Sequence, residues 1–151
     1  MARFLNDRNA ATGQIPGSLI HLGSKKMDKS LVRLINYNND RLTEKELDSL
    51  NDCLPYLSDN SVSWISLYGL HDNQMVQQMG ELFEVHSLLL EDMLNTGQRP
   101  KIAETDKYLI IIMKILDFDE RTHELSSNQV SMILDDSFLI TLQEKEGHYF
   151  E

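Results

Sequence analysis

Short apolar stretches separated by polar punctuation run along the chain, and their period changes from one stretch to the next. Residues 31–37, Leu-Val-Arg-Leu-Ile-Asn-Tyr, are β-branched and partly alternating, which predicts a strand ended by Asn38, Asn39 and Asp40. A shorter strand is predicted at 18–22, between Pro16-Gly17 and Gly23. Thr43 and Glu46 have the spacing of a capping box, which predicts a helix from there to about residue 54, stopped by Pro55. The next strand is predicted at 62–67 and carries the only tryptophan, Trp64.

Behind Asp72, a good N-cap, Met75, Val76, Met79, Leu82 and Phe83 fall on one face of a helix. A methionine-rich face suits a promiscuous groove, but core packing is its expected use. A second short helix is predicted from Ser87 to about Asn95, ended by Gly97 and Pro100. Three strands follow. Residues 108–116 are nearly all aliphatic, as in a strand covered on both faces. Residues 117–121 read as a turn, 124–134 alternate through Val130, Met132 and Leu134, and Phe138, Ile140 and Leu142 alternate after a tight turn. Their short connections make them an antiparallel meander. The fold class that results is α/β, with helices packed on a mixed, partly antiparallel sheet. It spans residues 15–151 and follows a polar tail over 1–14.

A chain of 151 residues is long enough for one domain with a true core. Its net charge of −10 disfavours phosphate backbones, so nucleic acid is not an expected partner; the same excess can concentrate cations or simply keep the domain soluble. The single cysteine, Cys53, permits no internal disulfide and has no CxxC partner, which fits a reducing compartment and an inert buried thiol. The longest aliphatic run, residues 109–113, is interrupted by Lys114 and is far short of the roughly 20 residues of a spanning helix. The sequence as it stands reads as soluble.

Catalytic patterns are absent. There is no phosphate-binding GxxxxGK[ST] or GxGxxG, no GxSxG elbow and no HExxH, so an enzyme is not expected. His71 and His86 flank one helix and could converge on a metal, but isolated capping or surface histidines are the expected account. The segment 86–101 is the most unusual. Glu91 and Asp92 are adjacent in a short helix and point about 100° apart. Two readings stay open: carboxylates placed near a helix N-terminus for its macrodipole, or oxygen donors for a hard cation such as magnesium, which keeps its waters and takes one or two carboxylates. Arg99, beyond the helix, is a candidate partner for Glu91 or for a neighbouring subunit.

The run Trp64-Ile-Ser-Leu-Tyr-Gly-Leu-His-Asp72, the stretch His86 to Lys101 with Leu-Glu-Asp and Gln-Arg-Pro-Lys, and the later pieces Tyr108 to Lys114, His123-Glu-Leu125, Gln129 to Leu134 and Leu139 to Glu144 occur in a familiar order. Together they resemble the N-terminal cytoplasmic domain of CorA-type magnesium/cobalt transporters over roughly residues 15–151. The resemblance implies an α/β sandwich at the cytoplasmic face of the bacterial inner membrane. It implies a homopentamer joined to the membrane through later helices, and regulatory magnesium, with cobalt also accepted, bound between subunits. It assigns Asp92 as the regulatory ligand and Glu91 as neighbour to a second cation, with partner ligands from the adjacent subunit. Ser87 replaces the family's usual proline, and serine is expected to cap the helix start. The sequence ends at Glu151, before the stalk, the membrane helices and the Gly-Met-Asn signature, so it is expected to sense ions without conducting them. The alternatives are the corresponding domain of a zinc-transporting relative and a stand-alone soluble binding protein.

Overall fold

Asn38 closes the first hairpin. Its side-chain oxygen accepts the amides of Asp40 and Arg41, and its own amide donates to the Arg41 carbonyl, so the chain reverses after β1 (Leu31–Tyr37). The returning segment is β2 (Leu42–Leu47), antiparallel to β1 with Tyr37 opposite Leu42 and Val32 opposite Leu47. This corrects the helix predicted from residue 43. The working capping box lies six residues later: the Ser49 hydroxyl accepts the Asn51 amide and the Asp52 carboxylate accepts the Ser49 amide. It opens a 3-10 helix, Leu50–Tyr56, which contains Pro55 rather than stopping before it. Leu50 and Cys53 are its buried positions, and their spacing of three puts both on one face of a 3-10 turn. The exposed Glu44, Lys45 and Glu46 charge an edge strand, which discourages pairing with other chains.

The remaining strands build one seven-stranded sheet in the order β2-β1-β3-β7-β6-β5-β4. The computed structural model describes residues 13–58, 60–147 and 149–150. The tail expected over 1–14 therefore falls, apart from Gly13 and Gln14, outside the described residues. β3 (Val62–Tyr68) is antiparallel to β1 and parallel to β7 (Phe138–Gln143). β5 (Leu109–Asp119), β6 (Glu124–Leu134) and β7 form the expected antiparallel meander. The β5–β6 hairpin is longer than predicted: pairing continues to Asp119 opposite Glu124, and the reversal holds His123 at a φ of 53°. β4 (Lys101–Glu104), for which the sequence predicts no element, pairs with β5 at the far edge. Residues 18–22 form no sheet strand; Leu22 makes only an isolated parallel bridge to Asn95.

The 3-10 helix, α1 (Asn73–Leu82) and α2 (Ser87–Leu94) share one face of the sheet. Met75, Met79, Phe83, Leu90 and Met93 pack there against Leu34, Ile65, Leu67, Ile110, Ile112, Ile133, Ile140 and Leu142. The methionines of α1 are thus core, as expected. Cys53 is fully buried, and burial pushes its thiol up to about 11. The opposite face carries no helix among the described residues, and Trp64, Ile111 and Met113 there are only half-buried. Two-sided cover of 108–116 is therefore corrected to one side covered by helices. The register also inverts the expected core face of β6: Ile133 packs into the core, which puts Ser131 and Gln129 on the helix side and the predicted Met132 stripe on the other.

Candidate metal site on the second helix

α2 begins at His86, whose Nδ1 accepts the Leu88 amide at 3.2 Å; Ser87 is the first helical residue, not the cap. The helix sits close against α1. A Cβ added at Gly80 would stand 2.2 Å from Leu90 Cδ1, so the absent side chain there is what lets the helices approach. Leu90, Met93 and Leu94 are buried, which fixes the rotation of α2 and leaves Glu91 and Asp92 half-buried at its flanks.

The C-terminal end of α2 is tied down by a polar cluster beneath it. The Leu94 carbonyl accepts the Leu22 amide at 3.0 Å, and the Thr96 amide and hydroxyl both donate to the Leu22 carbonyl. The Met93 carbonyl accepts Gln129 Nε2 at 2.7 Å, and Lys114 Nζ donates to the Thr96 carbonyl and to Gln129 Oε1. The buried Glu144 accepts the Gln129 amide through Oε1 and pairs through Oε2 with Lys26 Nζ at 2.7 Å; Lys26 also donates to Asn128 Oδ1 and the Ser127 carbonyl. Carbonyls that a helix end leaves without partners are thus supplied by strand side chains. Burial pushes the Lys114 ammonium below its usual range while Glu144 opposes it, and His21 is lowered in the same way. None of these residues was singled out from sequence as part of the site. The one available signal was Lys114 breaking an aliphatic run, directly opposite Gln129 once the β5–β6 register is known.

The two sequence-predicted ligands point to different partners. Glu91 Oε2 accepts the Gly17 amide at 2.6 Å, which docks the segment before β1 onto α2. Asp92 Oδ2 pairs with Lys101 Nζ at 2.5 Å. The suggested Arg99–Glu91 pair is replaced by this Lys101–Asp92 pair. Both carboxylates lie in the second half of an eight-residue helix whose first turn carries no acid. The macrodipole account fails there, because the C-terminal half of a helix disfavours negative charge. The amide and the ammonium offset that cost instead.

His71 and His86 do not converge on a metal site. His86 is used as a cap, and the His71 ring lies beside Gly69, with Cε1 3.1 Å from where a Cβ would stand. No group of three or more His, Cys, Asp or Glu side chains among the described residues is placed to hold a metal ion. Glu91 and Asp92 offer hard oxygen donors, each with one oxygen already engaged. That set fits a hydrated magnesium ion, which needs only one or two carboxylates, and does not fit a closed cage for zinc or calcium. The described helices include none long and apolar enough to cross a membrane.

The mixed sheet thus carries helices on one face, and α2 among them presents the acidic pair. Residues 59–151 match the family model described as CorA-like Mg2+ transporter protein, and the chain belongs to that family. It is 35% identical over 143 residues to the curated "Cobalt/magnesium transport protein CorA" of Thermotoga maritima, covering 95% of this chain and 40% of that protein. Two solved structures share the fold. The full-length CmaX protein matches at a TM-score of 0.59 with 10% identity, over 82% of this chain and 37% of that one. The CorA magnesium transporter from Methanocaldococcus jannaschii matches at 0.51 with 16% identity, over 77% and 33%. The chain therefore spans about two fifths of the curated relative.

Proposed function

We propose that this chain is the cytoplasmic cation-sensing domain of a magnesium/cobalt transport protein and that it acts in a homopentamer rather than as an enzyme. The name of the curated relative supports magnesium and cobalt over zinc as the ions concerned. In this reading Asp92 is the principal ligand and Glu91 lies beside a second ion, with the rest of each coordination shell made by water and by the adjacent subunit. A cation between two subunits ties acidic surfaces together and favours the closed state. When it leaves, repulsion between chains of charge −10 favours the open one.

The observation that carries this reading is the setting of Asp92. It is a partly exposed carboxylate on a helix whose C-terminal end is tied to Leu22 and Gln129, and its present partner is an ammonium that solvent reaches. Replacing Asp92→Asn in a full-length protein carrying this domain tests it. The variant is expected to keep transporting magnesium at internal concentrations that close the parent, measured as uptake into loaded vesicles. Closure at an unchanged magnesium concentration would remove Asp92 from the mechanism. A native protein no longer than this chain, found in the soluble fraction, would favour a stand-alone binding protein.

A further inference from the structure

We propose that Lys101 is a built-in counter-cation of Asp92, so that a divalent ion binds there in competition with the lysine. The inference rests on the cation reading of Asp92 given above. Strand register is what delivers the lysine. In β4, Ala103 stands opposite the core residue Ile110, so Lys101, two residues earlier, shares the face on which α2 lies. Ile102 between them points to the other side and is 71% exposed. Pro100 limits the backbone freedom of the approach to the strand. The ammonium ends 2.5 Å from Asp92 Oδ2, with the lysine side chain 43% and the aspartate side chain 27% exposed.

The two carboxylates differ in what must move to free them. Releasing Glu91 means undocking the backbone amide of Gly17, and with it the segment before β1. Releasing Asp92 means only rotating a flexible, half-exposed lysine into water. Asp92 is therefore the exchangeable site. Ion binding there swaps one positive charge for two, so the local charge rises by one rather than two. The lysine sets the cation concentration at which exchange occurs, and it holds Asp92 neutralised when the ion is absent.

The test uses Mn2+ as a magnesium probe on this chain at low ionic strength. Broadening of the α2 amide signals in 1H–15N spectra is followed through a titration. Lys101→Met keeps the aliphatic stem and removes the charge. It is expected to lower the titration midpoint about three- to tenfold, the range for losing one nearby competing charge. Lys101→Arg should stay near the parent midpoint, and added salt should shrink the difference between Lys101→Met and the parent. Asp92→Asn should abolish the broadening in both backgrounds. If Asp92→Asn abolishes it but Lys101→Met leaves the midpoint unchanged, the counter-cation role is wrong while the ion site stands. If broadening survives Asp92→Asn, the ion site and the counter-cation role fail together. Native peak dispersion in each variant checks that folding is retained.

Discussion

At the scale of single residues, the buried charges matter more than the exposed ones. Glu144 lies just past the end of β7, almost wholly buried, with the Gln129 amide on one oxygen and Lys26 on the other. Lys114 is close enough for Glu144 to hold its ammonium up against the lowering effect of burial. Removing one partner of a buried charged group leaves the others without compensation and typically costs about 3–5 kcal/mol. Lys26 is partly exposed, which discounts that figure here. Glu144→Gln is therefore expected to destabilise the domain by about 2–3 kcal/mol, read as a lower midpoint at unchanged slope in urea denaturation. A loss under about 0.5 kcal/mol, the range of ordinary surface substitutions, would show that water already satisfies the cluster. Because Gln129 holds the Met93 carbonyl of α2 and Lys114 holds the Thr96 carbonyl just beyond it, the same variant should also raise hydrogen exchange at the end of α2 more than at α1.

At the scale of elements, the sequence made some features legible and hid others for physical reasons. The Asp72 cap, the α1 stripe and the meander were readable because each is a local pattern: a capping side chain 3.1 Å from the Met75 amide, a 3.6 period, short turns. β2 was not, because Thr43 and Glu46 carry a helix-start spacing that the Asn38 turn overrides by handing the chain to β1 as a partner. β4 is only four residues long and has no apolar run to announce it, yet it delivers Lys101 to the site. Glu91 and Asp92 stood out as an adjacent acidic pair and took their roles from the family resemblance, whereas their distinct partners, a backbone amide and an ammonium, depend on contacts between distant segments. The α1–α2 approach is equally invisible in one dimension, since Gly80 looks like a weak point in a helix. Alanine there would gain about 0.8–1.0 kcal/mol of helix propensity but must overlap the buried Leu90. Overpacking costs roughly 1–3 kcal/mol, so Gly80→Ala is expected to be destabilising by about 1 kcal/mol net. In the double variant with Leu90→Ala the two losses should be less than additive, since truncating Leu90 makes room for the new methyl. Full additivity in thermal or urea unfolding would mean that the helices do not meet at this pair.

At the scale of the whole molecule, charge decides how copies meet. Each chain carries 24 acidic and 14 basic residues. Copies brought together repel one another over about 10 Å at 0.1 M salt, so the chain alone is expected to sediment as a monomer or weak dimer in the absence of divalent ions. Two effects of added magnesium must be separated. Screening depends on ionic strength and is reproduced by sodium chloride at matched strength. Bridging needs one ion to contact carboxylates of two chains, and sodium at the same strength cannot replace it. If Asp92 supplies one side of such a bridge, magnesium should raise the weight-average sedimentation coefficient more than sodium does at equal ionic strength. Asp92→Asn should then erase the difference while leaving the sodium response intact. Lys101→Met should move the magnesium response to lower concentration, because the competing ammonium is gone. Equal responses to the two salts in the parent chain would reduce the acidity to a solubility device. The case for intersubunit bridging would then have to rest on ligands from outside these 151 residues.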